Sequence, residues 1–318
     1  MRAGLLLLVA EGVARIFVAS PNGVLRVSPD RELRYELAPG THTSDGNLFR
    51  IDEYDVRVDA RGCRKAGPAG ESSAGELLVV GDSFTHGDGV GDQSAYPALL
   101  ESALLKRGRS IRVANCAVPG YNLTQIVRSV EAQLVGRDVR LLVVAFFSND
   151  LRGATPLDAV VGSGSWLSPL TQTSRLARFI DIAARIAQGQ LDPPYLSGAQ
   201  ISKSLDRLEA AVREAGAPLV AVVLEPPVHP TMDLASELTG RGWSLLAAPE
   251  LSAERYRIPR NGHFNQSGHA AIADWLTEER LDAVVLSALD SVGWAFNIRG
   301  GDIVHTPVTM AFALVEQD

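Results

Sequence analysis

Along the middle of the chain, short uninterrupted apolar runs alternate with segments in which apolar residues recur every third and fourth position. Glu76 precedes the aliphatic run Leu77-Leu78-Val79-Val80, which Gly81-Asp82-Ser83 ends. A run without polar alternation predicts a parallel strand buried on both faces. Tyr96, Leu99, Leu100, Ala103 and Leu104 then share one helix face, with Pro97 tolerable in the first turn and Gly108 as the stop. The pattern repeats. Residues 111–115 predict a second strand, and Asn122 caps a helix carrying Leu123, Ile126, Val127, Val130 and Leu134 that ends at Gly136. Residues 141–147 form the most hydrophobic stretch and predict a third strand, closed by Ser148-Asn149-Asp150. Helices follow at 174–188 and 201–215, the second stopped by Gly216. Residues 219–224 predict a strand ending at Glu225-Pro226-Pro227, residues 243–246 a last short strand, and Ser267 the cap of a helix bearing Ile272, Trp275 and Leu276. Strands alternating with helices predict an α/β domain with a parallel sheet covered on both faces.

The flanks read differently. Residues 24–27, 32–37 and 48–58 predict short strands, punctuated by Pro21-Asn22-Gly23, Pro39-Gly40 and Asp45-Gly46, and 67–75 read as a linker. Residues 151–173, rich in Gly, Ser, Thr and Pro, predict a long loop beside the end of the third strand. A loop of that length is either functional, as a substrate lid, or a surface insertion. Beyond Leu286, residues 296–298 and 304–315 predict added β structure or a docking tail with no catalytic signature. The expected organisation is a helix and β-rich flank with linker at 1–75, the main α/β domain at 76–286, and a β-like tail at 287–318.

Composition narrows the function classes. The 318 residues are 46% hydrophobic and 21% charged, as in a globular protein, and a net charge of −7 with scattered arginines argues against nucleic acid as a partner. Cys63 and Cys116 lie in no metal-ligand or redox spacing, which predicts two packing residues. Arg2 followed by the apolar residues 5–10 resembles the start of a signal peptide, but Glu11 and Arg15 cut the run below the roughly 20 residues that span a bilayer. It reads as a short interfacial or docking helix, or the remnant of a longer anchor. The expectation is a soluble chain, with an extracytoplasmic or membrane-proximal location left open.

Candidate chemistry sits at the predicted C-terminal strand ends, where open α/β sheets bind ligands. Ser83, the backbone around Gly120, and Asn149 lie there, and His263 comes late in the chain. A serine nucleophile needs a base that titrates near neutral pH, and a tetrahedral oxyanion needs donors. The plain alternative is that Asp82 and Ser83 only cap a turn. Gly81-Asp82-Ser83-Phe84-Thr85-His86-Gly87, Asn115-Cys116-Ala117-Val118-Pro119-Gly120, Phe147-Ser148-Asn149-Asp150 and Asn261-Gly262-His263-Phe264-Asn265 occur in that order. Together they resemble four blocks of the SGNH, or GDSL-type, hydrolase superfamily over residues 76–281. The resemblance implies a three-layer α/β/α sandwich of flavodoxin-like type and hydrolysis or transfer of an acyl ester, often a short acyl group on a carbohydrate. It implies Ser83 as nucleophile, His263 as base, and Ser83 N–H, Gly120 N–H and Asn149 Nδ2 as oxyanion donors. No cofactor or metal is expected.

The resemblance has one departure. The family carries an aspartate two or three residues before its histidine, where this chain has Asn261 and Arg260. Three readings are open. Asn261 holds the ring through its carbonyl oxygen, or another acid does so, with Glu225, Glu250 and Glu254 nearest in the chain, or hydrolysis is impaired. His86 and Glu225 are candidate substrate-binding residues, while His269 reads as structural. The expected function is an esterase for short acyl esters, acetyl foremost, on a small molecule or carbohydrate. An O-acyltransferase to a sugar hydroxyl and an impaired carbohydrate-binding module are the alternatives.

Overall fold

The computed structural model describes residues 2–17, 24–44, 54–65, 75–153, 193–259 and 261–278, with isolated positions at 174, 176, 177 and 180. A helix, α1 (Arg2–Phe17), is followed by β1 (Leu25–Val27), β2 (Tyr35–Leu37), β3 (Gly40–Ser44) and β4 (Tyr54–Val58). The main domain then runs β5 (Glu76–Val80), α2 (Ser83–His86), α3 (Tyr96–Lys106), β6 (Arg112–Asn115), α4 (Leu123–Leu134) and β7 (Val139–Phe146). It continues with α5 (Gly198–Ala215), β8 (Leu219–Val223), α6 (Leu234–Gly240), β9 (Ser244–Ala247) and α7 (Gln266–Glu278). Strands β5 to β9 form one parallel sheet in the order β6-β5-β7-β8-β9, with β7 in the middle and β5 between it and the edge strand β6. This is the doubly wound order in which chain direction switches beside the first strand, the place such folds reserve for ligands.

The unbroken apolar runs are explained by burial on both sides. Leu78, Val80, Leu142, Val144 and Ala221 pack with α4 and α5, while Leu77, Val79, Leu141, Val143 and Val222 pack with α3 and α7. Three layers result. Each buried Leu or Val contributes about 1.5–3 kcal/mol relative to exposure, so the sheet is a firmly packed platform for a site. The flank joins the first of these clusters: Tyr35, Leu37, Val56 and Val58 are buried in it beside Leu78. Hairpin β3–β4 also reaches the sheet edge, because Arg64 bridges both Val58 and Asn115.

Several expectations are corrected. Cys63 and Cys116 are not independent packing residues but form a disulfide, joining partners that no local motif relates. The α7 cap is Asn265 rather than Ser267, since Asn265 Oδ1 accepts the Gly268 N–H at 3.0 Å. Helix α6 and strand β3 had no counterpart in the pattern. α6 is a short segment capped by Asp233 that buries only Leu234 and Leu238, and β3 starts at Gly40, inside what read as a turn. The 154–173 loop, most of the 174–188 helix and the tail beyond Glu278 lie outside the described residues. No helix among the described residues is long and apolar enough to cross a membrane.

Candidate active site

Strand β5 delivers the chain to Gly81-Asp82, and α2 begins at once. Asp82 is its cap: the backbone is extended and Oδ1 accepts the Phe84 N–H at 2.9 Å, the usual way a helix start satisfies an orphan donor. Ser83 therefore opens the helix at the C-terminal edge of the sheet, half-buried. Its Oγ lies 2.8 Å from Nε2 of His263, 180 residues away in sequence.

His263 arrives on the turn before α7. The turn is closed by Gly262 N–H to Ile258 O at 3.0 Å and Ile258 N–H to His263 O at 2.8 Å. On the far side of the ring, Nδ1 contacts Asn261 Oδ1, which also accepts the His263 N–H at 3.2 Å. If Nε2 is to accept the Ser83 proton, Nδ1 must carry the ring hydrogen, and a carbonyl oxygen is in place to receive it. Arg257 braces this turn, donating to Gly262 O at 3.0 Å, Leu251 O at 2.8 Å and Glu225 Oε2 at 2.9 Å. Its guanidinium stands 4.3 Å from the centre of the Phe264 ring. Phe84 stacks on His263 with ring centres 4.6 Å apart.

Strands β6 and β7, flanking β5, bring in the other two blocks. Asn115 Nδ2 donates to Thr85 O at 3.2 Å and His86 O at 3.3 Å, and its Oδ1 accepts the Ala117 N–H at 3.3 Å, tying the second block to the nucleophile helix. Gly120 turns the loop with φ of +80°, a conformation that favours glycine. After β7, the Asn149 side chain is set beside the Asp82 carboxyl and favours its charged form. Asp150 Oδ2 accepts the Phe147 N–H at 2.7 Å.

Ser83, Gly120, Asn149 and His263 are all partly exposed, whereas the groups beneath them are buried. Burial, opposed by the Phe84 and Thr85 N–H groups, pushes the Asp82 carboxyl up to about 7. Burial and then the Asp82 charge raise Asp150 well above the carboxylate range. Burial, followed by the Arg64 charge, drives both His86 and His269 down to about 3, so both rings are neutral near neutral pH. Asp82 Oδ2, Asp150 Oδ1 and Asn149 Oδ1 are buried with no hydrogen-bond partner among the described residues.

The structure thus brings Ser83, His263 and Asn261 together and sets Gly120 and Asn149 on the adjoining loops. It does not bring His86 to the surface of the site: the ring is 2% exposed and faces Ala117 O at 3.2 Å. Glu225 is paired with Arg257 rather than set against His263 Nδ1. Arg64, Asp150 and Arg257 are the supporting residues that the pattern of the sequence missed, and a lone arginine or acid in an irregular segment carries no periodic signal. No cluster of three His, Cys, Asp or Glu residues able to hold a metal occurs among the described residues.

Two family profiles match the chain. The Creatinase/Prolidase N-terminal domain matches residues 255–318. In the same vein, probable Xaa-Pro aminopeptidase P of Chaetomium globosum is 49% identical over 43 residues, 14% of this chain and 7% of that protein. The Laccaria bicolor counterpart is 30% identical over 70 residues, 22% of this chain and 11% of that protein. The chain therefore spans only about a tenth of the length of these curated relatives. Among solved structures, the esterase EstA from Pseudoalteromonas sp. is similar at 12% identity with a TM-score of 0.44, over 70% of this chain and 99% of that one. The Clostridium thermocellum family 3 carbohydrate esterase is similar at 16% identity with a TM-score of 0.41, over 66% and 98%. The second profile, the GDSL-like Lipase/Acylhydrolase family, matches residues 79–271, which hold Ser83, Gly120, Asn149 and His263. With that profile covering more than half of its length, the chain belongs to the GDSL-like lipase/acylhydrolase family of ester hydrolases.

Proposed function

We propose that this esterase hydrolyses short acyl esters, acetyl esters foremost and carbohydrate esters among them, through an acyl-enzyme on Ser83. The observation that carries the reading is the 2.8 Å approach of Ser83 Oγ to His263 Nε2, with Asn261 Oδ1 behind the ring. Nε2 takes the hydroxyl proton as Oγ attacks the ester carbonyl, and the imidazolium returns that proton to the leaving alcohol as the C–O bond breaks. Water then repeats the sequence on the acyl-enzyme, releasing the acid and restoring Ser83. Ser83 N–H, Gly120 N–H and Asn149 Nδ2 serve the oxyanion. Asn261 orients the ring in place of an aspartate, without the charge that would stabilise the imidazolium.

The Cys63–Cys116 disulfide supports an extracytoplasmic location, since such bonds persist in oxidising compartments. Residues 76–286 are the proposed catalytic domain, with 1–75 and 287–318 as flank and tail.

The test is turnover of p-nitrophenyl esters of increasing chain length by the parent, Ser83→Ala, His263→Ala and Asn261→Asp. The alanine variants should lose about 10³-fold or more in kcat, and Asn261→Asp should raise kcat. Equal rates in parent and alanine variants would refute the site. Acyl release that accelerates on adding sugar acceptors would mark a transferase instead.

A further inference from the structure

Arg64 is the largest fully buried side chain of the described residues, 1% exposed, and it lies in the flank before the span matched by the family. It does not serve the flank. Nη1 donates to His86 O at 2.7 Å and Gly87 O at 2.9 Å, Nη2 to Val90 O at 2.6 Å, and Nε to Asp92 Oδ1 at 2.9 Å. All four acceptors belong to the segment that leaves the nucleophile helix. Asp92 is held from its other side by Arg57, through the backbone N–H and Nε at 2.8 Å.

The four-residue helix explains why such a group is needed. A single turn cannot stand alone, and its last carbonyls have no intrahelical donors. Arg64 supplies those donors as a fork and places positive charge at the negative end of the turn. Gly87, the residue after the helix, has φ of +85°, and a Cβ there would lie 3.1 Å from Arg64 Nη1 and 2.8 Å from Ala95 Cβ. The approach is thus matched from both sides. The Arg64 backbone N–H also donates to Asn115 O at 2.7 Å, and the neighbouring Cys63 is bonded to Cys116. One short stretch of the flank therefore fastens both the segment carrying Ser83 and the loop leading to Gly120.

We propose that Arg64 is a positioning residue for the reaction: it holds α2 so that Ser83 Oγ stays within hydrogen-bond reach of His263 and faces the oxyanion donors, making the flank part of the catalytic unit. The proposal rests on Ser83 as nucleophile. Arg64→Lys keeps the charge but cannot span the four acceptors. With p-nitrophenyl acetate, kcat per active site, counted by fluorophosphonate labelling, should fall about tenfold or more with KM within about twofold, as misplacement by a fraction of an ångström does. In Arg64→Ala, added guanidinium should restore kcat several-fold while equal sodium chloride does not. A parental kcat per labelled site in Arg64→Lys overturns the proposal, as does guanidinium that raises the melting temperature of Arg64→Ala without raising kcat. Should neither variant fold, Asp92→Asn decides in the same way, through kcat lost at constant KM or kcat retained. Activity surviving in Ser83→Ala overturns the underlying site instead, so the two failures are distinct.

Discussion

Behind Ser83 the chain buries ionisable groups, whereas behind His263 it leaves them near the surface. Arg64, Asp82, Asp92, Asp150 and His86 lie in or against the nucleophile segment and are each under a tenth exposed. On the other side, His263 is braced by Asn261, two residues away, and by Arg257, whose partner Glu225 has a side chain 39% exposed. Buried polar groups cost several kcal/mol when left without a partner, and exposed pairs cost little. The nucleophile side is therefore a tightly determined arrangement and the histidine side a tolerant one. The family's departure, asparagine for aspartate, falls on the tolerant side, where the neutral amide keeps the hydrogen bond and loses only the charge.

The largest effect expected from this contrast belongs to the disulfide, which ties the flank to the loop beside the nucleophile. Cys63 and Cys116 are 53 residues apart, and closing a loop of that size in the unfolded chain is worth about 4 kcal/mol on the chain-entropy account. The double variant Cys63→Ala/Cys116→Ala should lose stability of that order in denaturant unfolding, as should the parent when reduced. A loss under about 1 kcal/mol would show that the nucleophile side does not depend on its covalent tie.

Next in size is a pH effect. The native protein refuses protons at His86 and His269 until about pH 3, while an unfolded chain takes them near 6.5. Taken alone, these residues make stability fall as pH drops through that window. Asp82 and Asp150 act in the opposite sense, because the native state holds their protons at pH values where the unfolded chain has released them. From roughly pH 4 to 6.5 the two pairs offset each other. Asp150→Asn keeps an acceptor for the Phe147 N–H but removes one of the opposing protons. Its stability should therefore fall on acidification from pH 6.5 to 4 by about 1.4 kcal/mol per pH unit more than the parent's. Parallel pH–stability curves would mean that native Asp150 holds no proton that the unfolded chain has released.

The same contrast sets what could be read from sequence. The sheet was legible because Leu77–Val80, 141–147 and 219–224 must be apolar on both faces, and the site because Ser83, Gly120, Asn149 and His263 fall at strand ends in a known order. Asn261 lies two residues from His263, so its contact with the ring was readable as local geometry. Arg64 was not: its acceptors are 22 to 28 residues away and are mostly backbone carbonyls, which leave no mark in the sequence. The disulfide failed to register for the same reason, since only the fold brings Cys63 to Cys116. Asp82 was readable as a cap, but its burial against Asp150 depends on β5 and β7 being neighbours.

The smallest effect should come from the exposed side. Glu225→Gln removes the charge that Arg257 meets at 2.9 Å while leaving an oxygen to accept its hydrogen bond. With Arg257 still bonded to Gly262 O and Leu251 O and standing over Phe264, the turn carrying His263 keeps its other supports. A pair this exposed is worth about 0.2–1 kcal/mol and is screened by salt. Unfolding of Glu225→Gln should show a loss in that range that shrinks in high salt, with kcat within about threefold of the parent, far short of the loss expected for Arg64→Lys. If Glu225→Gln instead lowers kcat as much as Arg64→Lys does, and raised salt does not narrow the gap to the parent, then Glu225 supports His263 electrostatically through Arg257. The two sides of the site would then share one dependence on charge, and the tolerance of Asn261 would need a source other than the exposure of its surroundings.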